Sequence, residues 1–427
     1  MNDLIIQSMA AAHNAFDEFY HISFFLLDTF YPNKSVTLSN RDPIFVTPEI
    51  KLLLRKRNSL MHRGRIEKAN SLTENIRKKI IKNNSLTLKA IPRCSKEMWE
   101  AVKKITGKSN NSSVHPVSNF SSEQLNQHYA SISNDAGFIQ PVSKVTCNNH
   151  FSLVGVSEID IFKILDTLKR TSAGLDGVPS WFLRIAAPGF SKPIAHLFNL
   201  SIANSFVPDI WKNSIITPVQ KQSKPPKCED FRPISVTPIL SRILEKIVVR
   251  NYIYPNFDKV ENSQLFSDQF AFRPSGSTTA ALISILHCIS KLLLEHTHVF
   301  VISLDFSKAF DRVRHVSLAK KLAILDLPDS VFNWLLEYLS GRGHRTKFGC
   351  QISELLGINS SIDQGSGIGP SCYVVNSADL QPIDKNNFFF KYADDTYLLV
   401  AANNAGTIAA ELDNVSVWVD RNNLVLN

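Results

Sequence analysis

The tightest limit on the fold is set by Phe388-Phe389-Phe390-Lys391-Tyr392-Ala393-Asp394-Asp395-Thr396-Tyr397-Leu398-Leu399-Val400. Two apolar, β-rich runs flank a short turn with adjacent carboxylates, a pattern that predicts a hairpin with a buried face and an acidic tip. Two neighbouring aspartates repel each other, at a cost that a cation or solvent relieves. Taken alone, Asp-Asp at a turn is ordinary turn chemistry. Its weight comes from a second run, Val299-Phe300-Val301-Ile302-Ser303-Leu304-Asp305, which reads as a buried strand with an acid at its tip. In isolation that acid would be a helix cap.

If the two elements are neighbours in one sheet, Asp305, Asp394 and Asp395 converge. An all-oxygen donor set suits Mg²⁺ or Mn²⁺. Two such ions about 3.5–4 Å apart can activate an attacking hydroxyl and stabilise a leaving pyrophosphate. That is the chemistry of nucleotidyl transfer, and it calls for cationic groups to hold a triphosphate.

Such groups are available. The chain of 427 residues carries a formal charge of +9, which points to a polyanionic partner. Eleven Lys or Arg stand against two Glu between Lys51 and Lys82. Thr47-Pro48-Glu49 opens a basic helix, with Thr47 as cap and Pro48 at its first position, and a second basic helix is expected over Ile66–Ile81. Arg55, Lys56, Arg57, Arg63, Arg65, Arg77, Lys78 and Lys79 are the candidate nucleic-acid contacts, a solvated face being the bland alternative. With 44% hydrophobic and 20% charged residues, the composition is that of a globular chain. Cys94, Cys147, Cys228, Cys288, Cys350 and Cys372 are scattered without a Cys-x-x-Cys pair, which suits a reducing compartment and argues against a zinc ribbon. Cys147 and His150 have ligand-like spacing but no second pair nearby. Ile22–Leu27 is too short to span a bilayer, so no transmembrane segment or signal peptide is expected, and the location is nucleus or cytoplasm.

Residues 1–50 read as helical, with Pro32, Pro43 and Pro48 as punctuation. The Ser/Asn-rich stretch after Lys108 reads as a linker, and a folded unit resumes near 151, with Ser157 and Asp160 capping a helix that presents Ile161, Leu165 and Leu168. Gly174-Leu175-Asp176-Gly177-Val178-Pro179 looks locally like a helix stop. Ile215–Val219 is strand-like and leads to a loop with Lys221, Lys224 and Lys227. In Phe231-Arg232-Pro233-Ile234-Ser235 the proline holds Arg232 extended, which suits a guanidinium that grips phosphate. Gln269-Phe270-Ala271-Phe272-Arg273-Pro274 leads into a helix near Ala280. Helices are expected over about 317–326 and 329–339, broken by Gly341-Arg342-Gly343. Gln364-Gly365-Ser366-Gly367-Ile368-Gly369-Pro370 is a loop nearly free of side chains. A last helix carries Ile408 to Trp418, and 424–427 reads as a strand.

Six segments in this order resemble the reverse transcriptases of non-LTR (LINE-type) retrotransposons: Leu175–Pro179, Phe231–Ser235, Gln269–Pro274, Ser303-Leu304-Asp305-Phe306-Ser307-Lys308-Ala309-Phe310-Asp311, Gln364–Ser366 and Tyr392–Asp395. The resemblance implies an α/β (α+β) right-hand polymerase with fingers and palm over 151–427, an antiparallel palm sheet flanked by helices, a helical basic extension over 1–107 and a linker over 108–150. It implies an RNA-directed DNA polymerase with two Mg²⁺ ions (or Mn²⁺), an RNA template, a DNA primer and dNTPs as partners, and no membrane. Asp305, Asp394 and Asp395 would be catalytic metal ligands, with the Phe306 carbonyl as a further donor. Lys221 and Arg232 would bind triphosphate, Phe310 would lie under the sugar, and Gln364 and Gly365 would touch the nucleotide. Asp363, where the family often has proline, and Ile368, in place of a common leucine, read as tolerated variation. The chain is expected to lack the family's thumb and endonuclease. A catalytically silent fragment that only binds nucleic acid is the rival reading, and a group II intron maturase or telomerase-like enzyme a third.

Overall fold

The structure, a computed structural model, describes residues 2–32, 47–89, 96–105, 120–145, 153–221 and 227–427. Cys94, Cys147, His150, Pro43 and Lys224 lie outside the described residues. The chain divides into two units, residues 1–32 with 119–427, and residues 33–118. Helix α1 (Asn2–Phe30) opens the larger unit. The smaller holds α2 (Pro48–His62), α3 (Ile66–Lys89) and α4 (Lys96–Ile105). Thr47 caps α2 by accepting from the Ile50 amide at 3.3 Å, as its sequence predicts. The turn to α3 runs through Gly64 at φ 71°, a conformation that suits glycine. Ala69 and Ile76 are buried and Lys79 pairs with Glu49 at 2.6 Å.

In the larger unit, α5 (Ser122–Ile132), α6 (Glu158–Asp166), α7 (Ser180–Ile185), α8 (Ala187–Ala203) and α9 (Asp209–Lys212) precede the first strand. A five-stranded sheet joins β1 (Asn213–Gln220) antiparallel to β2 (Phe231–Val236) and parallel to β4 (Gly343–Phe348), with β5 (Gln351–Ile352) and β6 (Leu356–Gly357) both on β4. A separate three-stranded antiparallel sheet has the order β3-β8-β7, from β3 (Val299–Leu304), β7 (Phe388–Tyr392) and β8 (Asp395–Ala401). The helices between and after are α10 (Ile239–Val248), α11 (Tyr254–Phe257), α12 (Ser263–Phe266), α13 (Thr278–Glu295), α14 (Ala309–Arg312), α15 (His315–Leu322), α16 (Asp329–Leu339), α17 (Gly369–Ser377) and α18 (Ile408–Arg421). The architecture is mixed α/β.

One apolar core runs from Phe16 of α1 through Phe198 of α8, Leu244 of α10 and Trp334 of α16 to Trp418 of α18. Phe16 meets the fully buried Trp211 edge-on, with ring centroids 5.1 Å apart. The Trp211 indole donates to the Tyr20 hydroxyl at 2.7 Å, which donates to Asp176 at 3.1 Å. Burial pushes the Asp176 carboxyl up to about 6. The glycine-rich turn expected only to stop a helix therefore anchors α1. Gly174 is required there, since a Cβ would meet the Pro238 nitrogen at 2.4 Å.

Three features stand beside the sequence expectations. Residues 1–32 and 120–145 pack with the unit that holds 151–427, where boundaries were expected at 107 and 150. Helix α5 has a capping box, Ser121 with Gln124, and buries Asn126, whose side chain accepts from Thr346 Oγ1 at 2.8 Å and donates to the Glu354 carbonyl at 2.9 Å. Strand β3 is an edge strand, with Phe300 37% and Val301 48% exposed. Its apolar run matched a buried strand because sequence shows what a strand could bury, not which neighbours it has. Finally, α13 is 18 residues long and, by length and composition, apolar enough to cross a bilayer, where no such segment was expected. Its Leu282, Ile283, Leu286 and Leu294 are exposed.

Candidate nucleotidyl-transfer site

The register of the small sheet decides the geometry. Leu304 pairs with Thr396, and Tyr392 pairs with Asp395 across the hairpin. Asp305, one residue past β3, thus comes beside the carboxylates at the β7–β8 turn. That turn is tight, with Ala393 at φ 58°, a left-handed conformation that costs a non-glycine residue about 1–2 kcal/mol. Gln269 holds it. Its Oε1 accepts from the Ala393 amide at 3.1 Å and the Ala271 amide at 3.0 Å. Behind the turn, Lys391 is 1% exposed, pairs with Asp268 at 2.7 Å and donates to the Ser377 carbonyl at 3.0 Å. Sequence reasoning missed Gln269, Asp268 and Lys391, although a lysine inside Phe-Phe-Phe-Lys-Tyr signals a buried charge in need of partners.

Burial, then the charges of Asp395 and Asp305, push the Asp394 carboxyl above its ordinary range. Buried Tyr373 of α17 is raised as well, by burial and then by the charges of Asp394 and Asp395. This mutual repulsion and the all-oxygen donor set fit a hard divalent cation. Asp305 is meanwhile engaged by Asn427, whose side-chain amide donates to it at 2.6 Å, while Phe306 bridges to Leu426. As the side chains stand, no three His, Cys, Asp or Glu among the described residues are drawn together into an ion cage.

Beside the turn opens a cavity of about 500 Å³, lined by Asp394, Phe310, Asp311, Arg232, Lys221, Lys308, Gln364 and Gly365 among others. Arg232 lies exposed on β2, and Lys221 follows β1. Phe310 stacks on Tyr373, centroids 4.5 Å apart, with Phe272 edge-on at 6.3 Å. The Gln364 carbonyl accepts from the Ser235 amide at 2.9 Å, and its side chain donates to Asp311 at 3.0 Å. Gly365 has φ 128°, and a Cβ there would meet the Ser235 carbonyl oxygen at 2.3 Å. Any larger residue would push the loop off β2. The cavity therefore gathers all five residues expected to bind nucleotide, together with Asp394.

Two charged groups behind this loop were misread or missed. Asp363, expected as tolerated variation, is an ion-pair partner of Arg342, their side chains 6% and 2% exposed. Arg342 also donates to the Tyr338 carbonyl at 3.0 Å. Glu245, fully buried on α10, accepts from the Gly367 amide at 2.6 Å and the Ile368 amide at 3.2 Å. The loop around Gln364 and Gly365 is thus pinned by the buried side chain of Asp363 and, at 367–368, by that of Glu245.

Burial also raises the Asp311 carboxyl to about 7, although the Gln364 hydrogen bond opposes it. The folded chain then keeps a proton that the unfolded chain loses near pH 4, so stability falls as pH rises from about 4 to about 7. Asp176 acts in the same sense. Asp311→Asn keeps the Gln364 bond and should flatten part of that fall. Denaturation midpoints at the two ends of the window test this, and an unchanged slope would remove Asp311 from the account.

Of the basic residues in the smaller unit, Arg55, Lys56, Arg63, Arg65, Arg77 and Lys78 are exposed, while Arg57 and Lys79 are partly buried.

Residues 219–427 match the family model described as reverse transcriptase (RNA-dependent DNA polymerase). That segment is similar to reverse-transcriptase domains of the kind carried by non-LTR retrotransposons. Among relatives, the probable RNA-directed DNA polymerase from transposon BS of Drosophila melanogaster is 26% identical over 282 residues, 62% of this chain and 31% of that protein. The RNA-directed DNA polymerase from mobile element jockey of the same species is 26% identical over 270 residues, 60% and 29%. The corresponding X-element protein is 28% identical over 209 residues, 47% and 22%. The chain thus spans a third or less of the length of these curated relatives. Among solved structures, the telomerase of Candida tropicalis in complex with a fragment of telomeric RNA has a TM-score of 0.37 at 12% identity, over 58% of this chain and 49% of that one; the likeness is too slight to bear on the architecture.

Proposed function

We propose that the chain is the fingers-and-palm portion of a non-LTR retrotransposon reverse transcriptase, which adds deoxynucleotides to a primer 3′-hydroxyl on an RNA template. The observation that carries this reading is the β3–β8 register, which brings Asp305 beside Asp394 and Asp395, with Asp394 lining a cavity that has basic residues in its wall. Bound at Asp305, Asp394 and Asp395, with the Phe306 carbonyl as a further donor, two Mg²⁺ or Mn²⁺ ions would activate the primer hydroxyl and stabilise the leaving pyrophosphate. The chain's own residues do the rest. Arg232 and Lys221 hold the triphosphate, Gln364 and Gly365 set a flat backbone against the nucleotide, and Phe310 lies under the sugar. The basic helices α2 and α3 add affinity for the template through its phosphates.

Primer extension by the purified chain on an RNA template with a DNA primer and Mg²⁺ tests the reading. Extension supports the polymerase. Failure to extend a duplex that the chain binds in a salt-sensitive way would instead support a catalytically silent, nucleic-acid-binding chain.

The Phe310 role has its own test. A ring fixed between Tyr373 and Phe272 would clash with a ribose 2′-hydroxyl, the group that distinguishes RNA from DNA precursors. Phe310→Ala should raise ribonucleotide incorporation by about tenfold or more relative to deoxynucleotide, on the scale of losing about 1.4 kcal/mol of discrimination. An unchanged sugar preference would refute the gate.

A further inference from the structure

Helix α5 stands apart from the family match, which begins at residue 219, yet its His128, Tyr129 and Ile132 line the cavity. Tyr129 is 4% exposed, and its hydroxyl has no hydrogen-bond partner among the described residues. A buried hydroxyl without a partner is costly, so one on a residue that lines a cavity marks a place where a ligand can complete the bond. His128 Nε2 lies 3.4 Å from Lys308 Nζ. The neutral imidazole accepts one ammonium proton and leaves the others free for an anion. Lys308 is itself held in a left-handed conformation at φ 51°, so its side chain is placed by the turn and braced by His128.

We propose that α5 forms a working wall of the nucleotide cavity, with the Tyr129 hydroxyl donating a hydrogen bond to the bound nucleoside triphosphate and His128 serving as a positioning residue for Lys308. The inference rests on the nucleotide reading of the cavity. Burial first, then the charges of Cys228 and Asp311, hold the Tyr129 phenol well above its ordinary range, so it remains a donor. Burial and then Lys308 lower His128, against an opposing Glu229, which favours the neutral, accepting ring. Lys221 and Arg232 supply further positive charge in the same wall.

The test uses the full chain on an RNA template with a chain-terminated DNA primer, Mg²⁺ and dTTP. The dTTP concentration that half-saturates the rise in thermal midpoint reports binding, and KM and kcat come from extension of an unblocked primer. Tyr129→Phe should weaken dTTP binding and raise KM by about 3- to 10-fold, the effect of one lost hydrogen bond. Its midpoint without nucleotide should not fall, because the lost hydroxyl had no partner among the described residues. His128→Ala should raise KM with little change in kcat, and His128→Gln, which keeps an acceptor, should recover most of the loss. Unchanged dTTP binding in Tyr129→Phe overturns the contact, and a Gln variant no better than Ala overturns the positioning role. If the unaltered chain binds no dTTP, the nucleotide reading falls, and the role of α5 with it.

Discussion

Asp394→Asn should reduce primer extension at least about a thousandfold, the scale on which single preorganised charge-stabilising groups act. The same substitution should leave the folded chain as stable as before, or slightly more so. The carboxyl of Asp394 is pushed up by burial and by the neighbouring Asp395 and Asp305, so at neutral pH its charge works against folding. An amide of the same shape removes that repulsion. The turn itself is held through the Ala393 amide and Gln269, neither of which is altered. Activity lost at unchanged thermal midpoint would mark a functional carboxylate. Full activity would take the hairpin out of the site, and a collapsed fold would make Asp394 structural.

The second large effect concerns Arg342. It is the cation that faces both Asp363 and Glu245 in the interior, so its removal leaves buried negative charge uncompensated. Arg342→Met should cost about 3–5 kcal/mol, as for other broken buried pairs. Tryptophan fluorescence during denaturation would read this through Trp211 and Trp334, both in the core. A double-mutant cycle with Asp363→Ala should show that the second change costs less once Arg342 is gone. Additive losses would mean that the pair is not coupled. Because Asp363 precedes Gln364 and Gly365, the variant should also raise the KM for nucleotide where it still folds.

The two strands and their carboxylates were legible because alternation, an acidic tip and segment order are local properties of sequence. What each strand would pack against was not. Strand β3 and a buried strand share the same apolar run, and only the neighbours distinguish them. Asp363 looked like variation because its partner is separated from it in sequence, between two glycines that read as a loop. Lys391 hid in a strand pattern whose apolar residues dominated the reading. Helix α5 was masked by Ser and Asn, which favour loops and caps, although here they provide the cap at Ser121 and a buried hydrogen-bonding hub at Asn126. The residues expected to bind nucleotide were picked out through family resemblance, and the groups that orient them became visible only in three dimensions.

The packing of α1 and α5 has a practical corollary for anyone who would excise the smallest working piece. The family match covers residues 219–427, but a fragment cut at that boundary would begin within β1, which runs Asn213–Gln220. It would discard Trp211, Phe198 and Phe16 from the common core and strip the cavity of Tyr129. A family match marks a stretch of similar sequence; the cooperative unit that must be expressed together is larger, and its edges are set by burial.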